Sequence, residues 1–372
     1  MIFSRVLLTF LAAISTIDYA VQAEHTHTLL DGIENELTKE NESKTRKLRG
    51  RWKNNRGAIR FSGDSSEEED EPSLELEMNT RTEGDVSRVI MNCLDNESAM
   101  VCKNRLLDTA AEGTIRFIHY LQEANAYAVE IKTSHLGDME DLQEDPVRET
   151  MHIPDSLEIL HGRDLQTSRQ TIPYGVDLVR AREAWSEFGT KGENIRVCVM
   201  DTGVWRGHDD LDQLSGHEGN DLVQPWFRDV NGHGTHCTGT VAASDNDLGV
   251  VGVAPNVEIF IARVFSPNGE FHSSDMIAGL EACRDGGANV ISMSLGGPFP
   301  GFQEEATLRS LYNQGIVSVA AAGNTGRFQN IYPASYDNVI SVAAVNSNGN
   351  HASFSTRNNM VDVAAPGVSV VS

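Results

Sequence analysis

Basic residues are scarce in this 372-residue sequence, in which 30 lysines and arginines stand against 54 aspartates and glutamates, for a net charge of -24. Nucleic acids and anionic membrane surfaces attract positive charge, so we expect neither as a partner. Beyond residue 23 no apolar run is long enough to span a bilayer, and we expect no membrane anchor. The length allows one large domain with a buried core and a smaller one.

Cysteine is also scarce, and the five cysteines present are an odd number. Cys93 and Cys102 lie close together in the sequence and could pair in an oxidising compartment. Cys198, Cys237 and Cys283 stand in apolar or small-residue settings, where a buried free thiol is the commoner state. A Cys198–Cys283 bridge is the alternative that the sequence leaves open.

The first 23 residues have the composition of a secretory signal peptide. Arg5 precedes an apolar run from Val6 to Ile14, and Val21-Gln22-Ala23 provides a small-residue cleavage site. A buried N-terminal helix is the alternative interpretation. We therefore predict a secreted protein that is cut after Ala23.

Two stretches lack the apolar residues that a folded unit needs. Residues 24–84 are polar and charged, with an acidic block at 67–71, so we predict an acidic disordered linker there. Residues 161–169 are polar and without periodicity, and the exposed Arg163 and Arg169 make this segment a candidate for proteolytic processing.

Between these stretches, residues 85–160 indicate a small α+β domain. Val86–Met91 and Ala126–Ile131 have the composition of strands, and the apolar spacing of Ile115–Glu123 predicts a helix.

Residues 170–372 alternate between short, continuous apolar runs and helical patterns that end at glycine. This alternation predicts an α/β domain with a parallel sheet that is covered by helices on both faces. The predicted strands are Ile195–Met200, Ile259–Phe265, Val290–Leu295, Ile316–Ala322 and Val339–Val345. The predicted helices are Thr235–Ala243, Ser274–Arg284 and Glu304–Gln314.

Asp201 and His233 are the candidate catalytic residues. Asp201 ends an apolar run, where a partly buried carboxylate can orient an imidazole and stabilise its protonated form. His233 lies between two glycines at the start of a predicted helix, which allows the backbone to approach closely. A turn-forming aspartate and a metal site built from His233, His236 and Cys237 are the alternatives.

Two further segments also end predicted strands. Asn324 follows Ala322-Gly323, and its amide could donate a hydrogen bond to a developing oxyanion, although Gly-Asn is also a common turn. The glycines of the segment Ser294-Leu295-Gly296-Gly297 leave the backbone free to pair with an extended peptide. Ligands collect at the carboxyl ends of parallel strands, so we expect these side chains to converge with Asp201 on one cleft.

In combination, these segments resemble the subtilisin-like serine proteases over roughly residues 168 to 372. The resemblance implies that Asp201 is the orienting acid, His233 the general base and Asn324 an oxyanion donor. It also implies a substrate-binding surface and polypeptide substrates. The motifs are Asp201-Thr202-Gly203, Gly232-His233-Gly234-Thr235-His236, Ser294-Leu295-Gly296-Gly297, Ala322-Gly323-Asn324 and Ala365-Pro366-Gly367-Val368. The Asp-to-His interval of 32 residues, from 201 to 233, is the interval of that family.

The resemblance further implies a structural Ca²⁺ site. The loop from Ser244 to Val250 is similar to the family's cation loop, and Gln170 begins a segment similar to the family's mature N-terminus. Six residues would provide oxygen ligands, of which three use side chains and three use backbone carbonyls. They are Gln170, Asp210 and Asn246, and then Ser244, Leu248 and Val250.

Residues 85–160 resemble the family's propeptide, which implies an intramolecular inhibitor of a zymogen that acts as a monomer. Ala126–Ile131 and Leu142–Val147 fall where its last strand and closing segment would lie. An unrelated accessory domain is the alternative. The same resemblance implies a first specificity pocket that is lined by small groups and accepts a large apolar side chain.

A segment of the Gly-Thr-Ser-Met-Ala type, which would carry the nucleophilic serine, does not occur in the sequence. The family's serine lies about 150 to 160 residues beyond the histidine. We therefore expect that this chain is a truncated part of an endopeptidase, inactive as it stands, rather than a protease-like protein that only binds or inhibits. Neither Ser369 nor Ser372 is expected to be the nucleophile.

Overall fold

The computed structural model describes residues 86–94, 97–109, 115–132, 142–150, 170–211, 214–218, 225–266 and 269–372. The predicted signal peptide, acidic linker and processing segment lie outside these ranges. Within them, no helix combines the length and the apolar character that crossing a membrane requires.

In chain order, the first described elements are β1 (Val86–Asn92), α1 (Ala99–Thr109), β2 (Ile115–Leu121), β3 (Ala126–Lys132), β4 (Leu142–Glu144) and β5 (Val147–Thr150). They are followed by α2 (Tyr174–Leu178), α3 (Ala181–Phe188), β6 (Arg196–Asp201), β7 (Leu214–Glu218), α4 (His233–Ala242), β8 (Glu258–Arg263), β9 (Glu270–His272) and α5 (Ser273–Asp285). The last are β10 (Val290–Met293), β11 (Leu295–Gly296), α6 (Phe302–Asn313), β12 (Val317–Ala321), β13 (Val339–Val345) and β14 (Val363–Pro366).

The described strands include a seven-stranded sheet in the order β14-β13-β12-β10-β6-β8-β7. All its paired strands are parallel. Two apolar cores lie against it, one around Met200, Leu280 and Ile291 and the other around Val199 and Ile261. The predicted α/β class is therefore confirmed.

Strand register brings the predicted site residues to one edge of this sheet. Met293 pairs with Met200 on one side and with Ala320 on the other, so these three residues lie at the same level. Asp201 and Ser294 each follow immediately after that level. The carboxyl ends of β6, β10 and β12 thus share one edge, as the sequence pattern predicts.

The smaller unit is a four-stranded antiparallel sheet in the order β2-β3-β1-β4, with α1 packed on it through Cys102 and Leu106. The predicted helix at Ile115–Glu123 is wrong, because these residues form β2. Ile118 is an extra residue between the paired residues Phe117 and His119, which makes a bulge. The bulge changes the alternating apolar pattern of a strand into a spacing of three residues between apolar side chains. That spacing resembles the pattern of a helix.

Two disulfides join neighbouring elements. Cys93 and Cys102 are bonded, as expected, and connect the end of β1 to α1. Cys198 and Cys283 are bonded between β6 and α5, so the expectation that both carry free thiols is wrong. Cys237 on α4 has a free thiol.

The smaller unit lies on α5 and α6 of the larger one through ionic and apolar contacts. Leu121 and Ile90 join Ile277 in a buried cluster. The Asp145 carboxylate accepts a hydrogen bond from the backbone nitrogen of Ser274 at 2.7 Å, in the first turn of α5. A carboxylate at a helix N-terminus satisfies an unpaired donor and is stabilised by the helix dipole.

The chain then leaves the smaller unit as β5, which completes a separate antiparallel sheet in the order β11-β5-β9. Thr150 pairs with Leu295 and Glu149 with Gly296. On the other side, Val147 pairs with His272. An extended segment therefore occupies the peptide-pairing strand that the sequence predicts at Ser294–Gly297.

Candidate active site

Asp201 and His233 form a buried hydrogen-bonded pair. The Nδ1 atom of His233 lies 2.6 Å from Oδ1 of Asp201, and the side chains are 5% and 0% exposed. Asp201 is the last residue of β6, and His233 is the first residue of α4. Because an ionised carboxylate only accepts hydrogen bonds, Nδ1 must carry the proton, which leaves Nε2 as the basic nitrogen.

Small residues allow α4 to approach β6 this closely. Gly232 has a φ of 89° and caps the helix in the left-handed region. A β-carbon on Gly234 would lie 2.1 Å from the carbonyl oxygen of Gly203 and 3.1 Å from the β-carbon of Asp201. The glycines around the histidine are therefore required by contact with the acid's own strand.

Asp229, which no sequence pattern singled out, holds the first turn of α4 in place. Its carboxylate accepts hydrogen bonds from the backbone nitrogens of Gly232 and Thr235, each at 2.9 Å. Thr202 donates to the same carboxylate at 3.1 Å and accepts from the nitrogen of Gly234 at 2.9 Å. Asp229 thus lies three residues before the N-cap Gly232 and accepts from free backbone donors at the helix start, and the signal for it was an acid shortly before the helix.

The pKa of His233 is raised above its ordinary value. Burial lowers this pKa, but the charge of Asp201, the neighbouring Cys237 and the hydrogen bonds to both residues together raise it by more. The pair therefore favours the imidazolium, which is the form that a histidine base takes after it accepts a proton.

His236 takes no part in this pair, and the structure brings His233 and Cys237 together with Asp201 rather than with His236. Its Nε2 lies 3.2 Å from the carbonyl oxygen of Val370 and donates to it. The Cys237 thiol lies 3.8 Å from Nδ1 of His233 and 3.5 Å from the Ser294 hydroxyl. Ser372 donates to the carbonyl oxygen of His236 at 2.8 Å and is buried against α4.

The other predicted residues surround the same edge of the sheet. The Cys237 thiol contacts both the Ser294 hydroxyl and the His233 ring. Leu295 and Gly296 pair with β5. Gly297 and Tyr332 form a bridge with reciprocal backbone hydrogen bonds. Beyond β12, Ala322 and Gly323 are buried, and Asn324 is exposed. The oxyanion role of Asn324 stays a prediction.

The predicted cation ligands also converge. The Gln170 amide nitrogen donates to the carbonyl oxygens of Ser244 at 2.6 Å and Val250 at 3.2 Å. Asp210 is buried and accepts from the Asn246 amide at 3.0 Å. The backbone nitrogen of Leu248 donates to the Asn246 side chain at 2.7 Å.

A parallel sheet that holds a carboxylate–histidine pair at its carboxyl edge, beside a strand that pairs with an extended segment, is an arrangement that occurs in acyl-transfer hydrolases. Residues 192–372 match the subtilase family, peptidase S8. The chain is 45% identical over 209 residues to subtilisin DY from Bacillus licheniformis, which covers 55% of this chain and 75% of that protein. The chain belongs to the subtilase family, which is a family of serine endopeptidases.

Other relatives extend the similarity. An alkaline protease from Alkalihalobacillus alcalophilus is 35% identical over 267 residues, covering 72% of this chain and 67% of the relative. Among solved structures, the subtilisin-like protease Apa1 from the Antarctic psychrotroph Pseudoalteromonas sp. AS-11 is 40% identical. The match covers 53% of this chain and 46% of the Apa1 chain, with a TM-score of 0.49.

Proposed function

We propose that this chain is part of a secreted serine endopeptidase in which Asp201 and His233 form the acid and base of the triad. The observation that carries the proposal is the buried 2.6 Å hydrogen bond between Nδ1 of His233 and Asp201, beside an occupied peptide-binding strand. The nucleophile is a serine supplied beyond residue 372, at about residue 390 from the family's spacing.

Each residue then has a defined step. His233 takes the proton of the serine hydroxyl as the serine oxygen attacks the peptide carbonyl, and Asp201 stabilises the imidazolium that forms. Asn324 donates to the oxyanion. The imidazolium gives its proton to the departing amine, and His233 then activates a water molecule that releases the acyl group.

Sequencing the gene downstream of codon 372 and labelling its secreted product with a fluorophosphonate test this function. We expect an in-frame Gly-Thr-Ser segment and covalent labelling, because His233 makes the serine nucleophilic. The matched control is the His233→Ala variant, in which labelling should be lost. A stop codon at this point, or a secreted product that does not label, would instead support a protein that only binds or inhibits.

We also propose that residues 85–160 are the inhibitory propeptide of a zymogen, which acts on its own chain. The supporting observation is that β5 continues directly from the smaller unit into the groove between β9 and β11. A substrate peptide would pair with the same strand, so the two compete. Processing after β5 would free the groove for polypeptide substrates.

A structural Ca²⁺ ion in the loop from Ser244 to Val250 is a further proposal. The carbonyl oxygens of Ser244 and Val250 already converge on the Gln170 amide, and the buried Asp210 provides negative charge. Turning the amide of Gln170 would present its oxygen to the same point. The donor set would then consist of oxygens, which Ca²⁺ prefers.

Removing Ca²⁺ should lower the melting temperature by about 5–10 °C, because an ion at 100 times its Kd stabilises by about 2.7 kcal/mol. Differential scanning calorimetry with Ca²⁺ and with EDTA measures this shift. The Asp210→Asn variant should lose the response, whereas Asp247→Asn, at an exposed loop position, should retain it. An EDTA-independent melting temperature for the unmodified protein would contradict the site.

A further inference from the structure

We infer that Glu304 forms a specificity pocket for an arginine side chain of the polypeptide that binds between β9 and β11. The inference rests on the proposed endopeptidase function and names a preference that this function leaves open. Its starting point is Arg148, the second residue of β5, whose side chain is 0% exposed in that groove.

Arg148 ends at a buried carboxylate. Its Nη2 atom lies 2.6 Å from Oε2 of Glu304, and both side chains are 0% exposed. The Ser273 hydroxyl donates to the same oxygen at 2.5 Å. Ser273 and Glu304 thus place a hydrogen-bonded acceptor where the Arg148 side chain of the bound strand ends.

Two glycines leave room for the guanidinium and for the carboxylate that it contacts. A β-carbon on Gly297 would lie 3.3 Å from both Cδ and Nη1 of Arg148, so even a methyl group would crowd the guanidinium. A β-carbon on Gly301 would lie 3.4 Å from Oε2 of Glu304. The Tyr336 hydroxyl oxygen accepts a hydrogen bond from the nitrogen of Gly301 at 2.7 Å. The site therefore accommodates the long, planar side chain of the arginine that it holds.

The charge of the pocket requires a cation. Glu304 lies in the first turn of α6, where the helix dipole favours an anion without neutralising it. When β5 leaves the groove, Glu304 loses Arg148, whose positive charge compensates the buried carboxylate. A substrate arginine restores the pair, whereas an apolar side chain would leave the carboxylate desolvated and unpaired. Lysine lacks the planar guanidinium, so it should be a weaker substitute.

The position of this pair distinguishes it from the other ion pairs between the two units. Arg88 pairs with Asp275 of the larger unit and with Asp145 of its own unit, but Arg88 lies on β1, within the four-stranded sheet. Arg148 lies on the strand that is hydrogen-bonded on both edges, in the place that an extended substrate takes. Its pocket is therefore presented to substrates after β5 is released.

Cleavage of peptides in which arginine is moved one position at a time tests the pocket in the complete gene product. We expect kcat/KM to be about 100-fold higher for arginine than for leucine at one position upstream of the cleaved bond. Glu304→Gln should abolish the preference, and Glu305→Gln, whose side chain is exposed and paired with Arg309, should retain it. Equal cleavage of arginine and leucine peptides by an active enzyme would overturn the pocket alone.

A second measurement needs no catalysis. Hydrogen exchange of the β5 amides in the 372-residue chain should be at least about 10-fold faster in Arg148→Met, because the buried carboxylate is then unpaired. The double variant Arg148→Met with Glu304→Leu should restore slow exchange. Unchanged exchange in Arg148→Met would overturn the pocket, and an enzyme that cleaves no peptide would instead overturn the proposed function.

Discussion

Replacing His233 by alanine should lower kcat/KM of the complete enzyme by about 10⁶-fold, the magnitude reported for the base of a subtilisin triad. The physical reason is that the serine loses the only base held against Asp201 in the described site, at 2.6 Å. Initial rates on a peptide substrate measure the loss. A loss below about 100-fold would show that His233 is not the base.

Asp201→Asn should reduce kcat/KM by about 10⁴-fold with little change in KM, because an amide cannot fix the imidazole in the tautomer that leaves Nε2 basic. The pKa of His233 should also fall, since burial lowers it and the charge of Asp201 is the largest of the causes that raise it, ahead of Cys237. NMR titration of the imidazole measures this shift. The exposed Asp209 provides a control, and Asp209→Asn should change neither the rate nor the pKa.

The same pair gives a pH dependence of stability with a definite sign. A folded-state pKa above the ordinary value of about 6.5 contributes stability at pH values below 6.5. This contribution is lost as the pH rises through the elevated pKa of His233. Asp201→Asn should remove that part of the alkaline destabilisation.

Much of the sheet could be predicted because strands buried on both faces are continuously apolar. Val339–Val345 forms β13 with the predicted limits, and the predicted runs around β6, β8, β10 and β12 differ by one or two residues at their ends. The proximity of Asp201 and His233 was also predictable, since Asp201 ends an apolar run and His233 lies between two glycines at a helix start. These strands could therefore be predicted from local sequence patterns alone.

What could not be predicted depends on contacts between distant residues. Glu304 was only the first residue of a predicted helix, and its buried partner is Arg148, 156 residues earlier. Asp229 acts through backbone nitrogens of a helix whose start was predicted two residues late, at Thr235 instead of His233. The bulge at Ile118 gave β2 a helical spacing. In each case, tertiary pairing decides what the local pattern leaves open.

Substitution of Asp145 should have a large effect on the stability with which the smaller unit is attached. Its carboxylate accepts from the Ser274 nitrogen at 2.7 Å and from the Ser274 hydroxyl at 2.5 Å, and pairs with Nε of Arg88 at 2.9 Å. The side chain is 0% exposed. Removing the Asp145 side chain leaves a backbone donor of α5 without its cap. It also removes one of the two carboxylates that surround Arg88.

Asp145→Ala should therefore destabilise the docked smaller unit by about 3–5 kcal/mol, the usual effect of breaking a buried ion pair. Hydrogen exchange of the β1 and β3 amides measures this locally, so the result does not depend on two-state unfolding of the whole chain. Asp177→Ala is the matched control, because its partner Arg182 is half exposed and such pairs contribute less than about 1 kcal/mol. Equal effects of the two variants would mean that Asp145 is solvated in solution, and that the smaller unit is held by the apolar contact of Leu121 and Ile277 instead.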